Sequence, residues 1–305
     1  MISISNKTIK SVIAWFDSEA INPDAQQGIA WLRIVPFIVL HIACFAVFWV
    51  GFSWAALIAL VITYSVRMFA ITGFYHRYFS HKTFKTHQWM ETVFAFIGAS
   101  SAQRGPLWWA SHHRKHHRHS DTELDLHSPI HGFMQSHMAW FLNHRAFATD
   151  YTTIQDFAKR ASLKWLNRFD LIAPIALAAF LFITGSVLNY FFPSLKTSGT
   201  QLFVWGFVLS TILLFHVTVS INSIAHVWGT QRYDTSDNSR NNPLLALLTF
   251  GEGWHNNHHH YPNTVKQGFF WWEIDMTYWT LKAMSYVGLT WDLKPVPAHI
   301  KRAVR

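Results

Sequence analysis

Four stretches of this chain, Ile34–Trp54, Ala55–Tyr75, Leu171–Phe192 and Thr200–Ile221, are apolar and almost free of charge. Each is about 20 residues long, the length at which an α-helix crosses the roughly 30 Å hydrocarbon core of a bilayer. One such run alone is compatible with a buried helix of a soluble protein. Four of them, in a chain with only 13% charged residues against about 25% in ordinary soluble proteins, read as membrane spans. The first two adjoin at Gly51–Trp54 and the second two are joined by Pro193–Gly199, which predicts two tight hairpins. Arg67 lies within the second run, so that helix is expected to leave the hydrocarbon early and continue into water.

Charge sets the orientation. Of 25 Lys and Arg, only Lys196 falls in a hairpin turn, and the positive-inside rule then places both ends and all polar segments in the cytoplasm. The net charge of +9 is scattered between apolar segments, which fits anionic lipid and not a nucleic-acid stripe. Gln88–Ala110, His137–Leu142 and Gly268–Trp291 are aromatic but too broken to span, and read as helices lying on the interface. Residues 1–30 and 292–305 read as polar or weakly amphipathic ends, with no cleaved signal peptide. Cys44 is the single cysteine, which excludes disulfides and thiolate metal sites. With no repeat or linker, residues 1–305 form one expected domain. It is expected to be all-α and integral to the cytoplasmic membrane of a bacterium. Four transmembrane helices in two hairpins carry a cytoplasmic, helical, histidine-rich cap.

Histidine is the anomaly of the composition, with 20 in the chain. Three clusters, His76–His81, His112–His117 and His255–His260, fall just outside spans on the cytoplasmic side, and His226 follows the fourth span. Residues three and four apart share a helix face, so His113 can aim with His116 and His117 at one centre. The same holds for His255 with His258 and His259, and for Asn222 with His226. His76 and His81 are five apart and converge only if their helix ends or bends, which Ser80 permits. Nine imidazoles exceed the coordination of one ion and suit two, and neutral imidazole suits Fe, Zn, Cu or Ni rather than Mg or Ca. A zinc transporter would carry His, Asp or Glu along its spans. Only His41 and His216 lie within these spans, without a carboxylate, and read as packing or hydrogen-bonded residues.

Four motifs, HRYFSH at 76–81, HRKHH at 113–117, NSIAH at 222–226 and GEGWHNNHH at 251–259, resemble the acyl desaturases of the stearoyl-CoA Δ9 type, over about residues 67–290. The resemblance implies a four-span enzyme that uses O2 to insert a cis double bond, at Δ9, at a di-iron centre beside a kinked acyl tunnel. The iron ligands it implies are His76, His81, His113, His116, His117, His226, His255, His258 and His259, with Asn222 reaching one iron through water. Its register selects His113 over His112, and leaves His119, His127, His131 and His260 as outer partners or solvated surface. Trp109 and Thr218 match the positions that flank the acyl kink. Acyl-CoA members carry Arg-Asp directly before the histidine that His113 matches, where this chain has Ser111 and His112. Acyl-CoA is the first expectation for the substrate, with membrane phospholipid as the alternative. A hydroxylase on the same site and a non-catalytic metal-binding membrane protein are the remaining ones. No dinucleotide fingerprint is present, so electrons are expected from an external donor such as ferredoxin or cytochrome b5 with its reductase.

Overall fold

The first hairpin turns at Gly51, whose φ of 66° suits glycine, and at Ser53, whose hydroxyl caps the next helix by accepting the Ala56 amide at 3.1 Å. In the computed structural model, which describes residues 16–19 and 29–303, helix α1 (Trp31–Ala43) runs through a 3₁₀ turn, Cys44–Ala46, into Val47–Val50. Helix α2 (Trp54–Phe69) continues into a π-helical stretch, Ala70–Ser80. In chain order follow α3 (Gln88–Ala99), α4 (Pro106–His119), α5 (Ala161–Arg168) and α6 (Ile172–Phe191). The turns Gly199–Leu202 and Phe203–Leu209 lead into α7 (Ser210–Val227), and α8 (Pro243–Leu248), α9 (His255–His260), α10 (Met276–Tyr286) and α11 (Ala298–Arg302) complete the chain. Most of the expected end 1–30 lies outside the described residues.

Among the described residues, three helices are long and apolar enough to cross a membrane: Trp54–Ser80, Ile172–Phe191 and Gly199–Val227. The expected first span is shorter, apolar over Ile34–Val50 and ended by Gly51. The two hairpins are bonded at their tips. Ser53 Oγ donates to Gln201 Oε1 at 2.7 Å, and Gln201 Nε2 donates to the Val50 carbonyl at 2.9 Å. Within the second hairpin, a Cβ on Gly185 would stand 2.4 Å from the Ser198 carbonyl oxygen, so glycine alone permits that approach. Phe48, Trp49, Trp54, Tyr190 and Phe191 face outward near these tips, as aromatic rings do at a membrane interface.

Arg67 corrects one expectation. Its helix continues into the protein and not into water, because α3, α4 and α10 wrap the stretch that follows, and Arg67 is only 2% exposed. Its guanidinium donates to the Thr63 carbonyl (3.0 Å), the Ser100 carbonyl (3.2 Å), Thr211 Oγ1 (2.7 Å) and Ser210 Oγ, which satisfies a buried cation without a carboxylate. The main apolar core sits where spans enter the cap and includes Met68, Phe74, Phe79, Leu107, Leu163, Leu214 and Leu281. Each buried side chain of that kind contributes about 1.5–3 kcal/mol.

The interfacial segments are more broken than the pattern implied. Gln88–Ala110 divides at Ser100–Gly105, where Ala102 and Arg104 have positive φ, and Pro106 restarts the helix. His137–Leu142 is a π turn followed by a 3₁₀ turn, and only Met276–Tyr286 of Gly268–Trp291 is helical. One short antiparallel pair, Lys85–Thr86 with Thr290–Trp291, departs from the all-helical expectation and ties the C-terminal segment to the exit of α2.

Candidate metal centre

Four elements deliver nine imidazoles to one place. The wide turn of Ala70–Ser80 puts residues five apart on one face, so His76 and His81 converge with ring centroids 4.9 Å apart, while the helix stays continuous up to Ser80. Helix α4 presents His113, His116 and His117, α7 ends at His226, and α9 presents His255, His258 and His259. Among the described residues they form two groups able to hold a metal ion: His76, His81, His113, His117 and His258, then His116, His226, His255 and His259, with ligand atoms of each group within 4.8 Å of one another. Sequence neighbours diverge by about 100° around a helix, so His116 and His117 serve different groups, as do His258 and His259.

The donor set fits transition metals. Two nitrogens each about 2.1 Å from one ion stand about 3.0–3.4 Å apart at octahedral to tetrahedral angles. The Nε2 atoms of His81 and His113 are 2.8 Å apart, those of His258 and His117 2.9 Å, and those of His76 and His258 3.0 Å. In the second group the separations are 3.1 Å for His226 and His255 and 3.4 Å for His116 and His259. Burial first, then the neighbouring imidazoles, push His81, His113, His117, His255 and His258 well below the ordinary histidine range. Burial and His127 push His116 down to about 3 against the pull of Asp125. Rings held neutral keep their lone pairs for a metal at ordinary pH.

Carboxylates orient these rings, and the sequence pattern did not single them out. Asp125 accepts from His116 Nδ1 at 2.9 Å, Asp121 from His226 Nδ1 at 3.2 Å, Asp237 from His259 Nδ1 at 2.6 Å, and Glu252 from His76 Nδ1. A proton fixed on Nδ1 leaves Nε2 as the donor to the centre. Burial opposes ionisation of Asp237, yet bonds from His259 and Ser239 hold its carboxyl well below the usual range. Glu252 is itself held by Arg77 Nη2 at 3.0 Å and Gln267 Nε2 at 2.9 Å, and Arg77 reaches Asp275 at 2.9 Å. With only 16 acidic residues in the chain, Asp121 and Asp125 just after the second cluster and Glu252 just before the third were the available signal, and the first cluster has none nearby.

A cavity of about 220 Å³ reaches both groups, with His76 and His113 of one and His116 and His255 of the other in its wall. Trp109, Thr218 and Asn222 also line it. Trp109 stacks on His113, with centroids 5.0 Å apart and planes 20° apart, and Thr218 Oγ1 accepts from Gln103 Nε2 at 3.2 Å. His112 joins neither group; it packs on Trp108 at 4.4 Å and reaches the Ala148 carbonyl. His127 pairs with Asp125 at 3.2 Å, His131 is exposed, and His260 stacks on Tyr233 at 4.3 Å.

The chain matches the fatty acid desaturase family model over residues 52–292. It is 38% identical to an sn-2 palmitoyl-lipid 9-desaturase of Nostoc sp. (strain 36) over 85% of this chain and 88% of that one. It is 35% identical to an acyl-CoA 5-desaturase of Anemone leveillei, covering 92% of this chain and 86% of the relative. A delta-9 acyl-lipid desaturase of Arabidopsis thaliana is 35% identical over 83% of this chain and 79% of its own. The two histidine groups therefore lie in a membrane oxidoreductase of lipid metabolism, and the chain belongs to the fatty acid desaturase family.

Proposed function

We propose that this protein uses O2 to place a cis double bond at Δ9 of a saturated chain esterified in a membrane lipid, at two irons held by the two histidine groups. The observation that carries this reading is one cavity lined by imidazoles of both groups and otherwise largely by apolar side chains. His76, His81, His113, His117 and His258 would hold one iron, and His116, His226, His255 and His259 the other, with Asn222 acting through water. A neutral imidazole set favours iron over magnesium or calcium. When bound, the pair supplies oxidation of an unactivated C–H bond by O2, with two electrons from an external donor such as ferredoxin or cytochrome b5 with its reductase. The protein's own share is placement. Asp121, Asp125, Asp237 and Glu252 fix the rings, and the apolar wall keeps water from the reacting carbons. Trp109 and Thr218 are assigned to gripping the chain beside the metal-facing rings.

The residues before and inside the second cluster favour lipid over acyl-CoA. Ser111 is buried and its hydroxyl is spent on the Asp150 backbone and Thr153. Arg114 is bonded to Asp156 and to the Phe79, Ser80 and Thr153 carbonyls, and Lys115 pairs with Asp150. These cations are engaged within the protein, whereas a CoA carrier needs donors for several phosphates. Acyl-CoA stands as the second reading, favoured by the name of the Anemone relative. We place Ile34–Val50 as a fourth crossing, with the cap on the cytoplasmic side of the cytoplasmic membrane. The test supplies labelled phosphatidylglycerol and labelled acyl-CoA separately to membranes with a working donor. Conversion of the phospholipid is expected, and conversion of acyl-CoA alone would overturn the lipid assignment.

A further inference from the structure

Three elements meet at one wall of the cavity, and each brings one phenylalanine and one histidine. Helix α1 carries Phe37 and His41, the turns at Gln135–Ala139 and Trp140–Leu142 carry His137 and Phe141, and α7 carries Phe215 and His216. The three phenylalanine rings line the cavity and meet edge to face. Their centroids lie 5.2 Å (Phe37–Phe215), 5.3 Å (Phe37–Phe141) and 5.4 Å (Phe141–Phe215) apart.

The three histidines form a second layer, a chain whose tautomers follow from its end. The Phe37 carbonyl can only accept, so His41 Nδ1 donates to it at 2.7 Å. His41 Nε2 is then an acceptor and takes the Nε2–H of His216 at 3.0 Å. His216 Nδ1 accepts from His137 Nε2 at 3.1 Å, and His137 Nδ1 accepts from the Ser223 hydroxyl at 2.9 Å. Three neutral rings are thereby satisfied in a layer where water is scarce and an unmet polar group is costly. The chain binds α1 to α7 and to the interfacial turns, the same three elements that the phenylalanine layer joins.

With α1 taken as a crossing, the face beyond this wall meets the bilayer. Val35, Ile38, Val39 and Ile42 of α1 and Leu213 of α7 are exposed, and Pro36, Phe37, Leu40 and Ile212 line the cavity while remaining partly exposed. At that point the wall is one side chain thick. Helix α1 has fewer regular backbone bonds on both sides of it. Pro36 has no amide to donate within the helix, and Cys44–Ala46 is a 3₁₀ turn. The segment between them carries Phe37 and His41.

We propose that Phe37, Phe141 and Phe215 form a lateral door through which the acyl chain of a bilayer lipid enters and leaves the cavity, latched by the His41–His216–His137 chain. The proposal rests on the acyl-lipid reading and deepens it. A chain whose head group stays at the interface can reach the cavity by parting these rings, whereas a carrier dissolved in water has no need of them. Opening separates His41 from His216, so the closed state is favoured until an acyl chain wedges between the rings.

The single native cysteine, Cys44, lies three residues beyond His41 and serves as the reporter. Protein in phospholipid bilayers is alkylated with a membrane-soluble maleimide. His216→Leu removes both bonds that His216 makes, of which opening breaks only the one to His41, and is expected to speed alkylation of Cys44 about fivefold, the population change that follows loss of that one neutral hydrogen bond. His41→Gln, whose amide both donates and accepts, is expected to stay within about twofold of the wild type. Phe37→Trp, which fills the door, is expected to slow conversion of bilayer phospholipid about tenfold while bound iron stays at the wild-type level. An unchanged alkylation rate in His216→Leu overturns the latch, and unchanged lipid turnover in Phe37→Trp overturns the door. Wild-type protein that converts dispersed acyl-CoA alone overturns the lipid door through the substrate reading, and the alkylation rates then still decide the latch.

Discussion

The amide of His81 donates to the carbonyl of His76 at 3.2 Å, a bond across five residues that brings the two side chains to the same centre. An ordinary α-helical repeat would place them about 140° apart and send one ring away from the site. The first histidine cluster therefore works because α2 widens as it leaves the membrane.

Metal content tests the grouping of the nine rings. Purified wild-type protein is expected to hold about two irons per chain, one for each group. His258→Ala is expected to lose iron from the first group, because His258 stands within 3.0 Å of His76 and 2.9 Å of His117. His260→Ala is expected to keep both, since its ring stacks on Tyr233 outside the groups. Elemental analysis reads both, and full iron in His258→Ala contradicts the grouping.

The outer carboxylates should tune affinity without being ligands. Asp237→Ala removes the acceptor for His259 Nδ1 and is expected to weaken iron binding about 10–100-fold. Asp237→Asn keeps an oxygen that can accept the same hydrogen bond, so a smaller loss is expected. Chelator competition measures both, and equal losses would show that the hydrogen bond is not what matters.

Arg77 is almost fully buried between Glu252 and Asp275, so its removal leaves two uncompensated carboxylates. Arg77→Met is expected to cost about 3–5 kcal/mol, well above a surface substitution. Thermal unfolding in detergent reads the loss, and a midpoint equal to wild type would contradict the role assigned to this pair of contacts.

How much of this could be read beforehand varies by residue. His113 with His117, and His255 with His259, share a group as their i, i+4 spacing implies, whereas His116 and His258, expected to aim at the same centre as their neighbours, fall in the opposite group. The convergence of His76 with His81 was expected from an end or bend near Ser80, whereas the π-helical stretch that produces it has no reliable sequence signature. Arg67 signalled an exit to water, but its partners are hydroxyls and carbonyls on α2, α7 and the Ser100 turn, invisible until the chain folds. The carboxylates at positions 121, 125 and 237 sit in irregular segments where no periodicity assigns a direction. The Gly51 turn that ends the first apolar helix is likewise hidden inside an uninterrupted hydropathic run.

Topology follows from the placement of basic residues. A reporter inserted near Asp125 is expected on the cytoplasmic side, and one at Lys196, in the turn of the second hairpin, on the opposite side. Finding both on one side would contradict the hairpin arrangement.

The central claim is tested most directly by the acyl chains themselves. A bacterial host that makes no desaturase of its own, supplied with iron and a matching electron donor, is to express either the wild type or His258→Ala, and its extracted lipids are to be analysed by mass spectrometry with double-bond localisation. The account predicts cis monounsaturated chains with the double bond at Δ9 in the wild type and none in His258→Ala. Saturated or hydroxylated chains alone in an iron-loaded wild type, or equal unsaturation in the two strains, would contradict it.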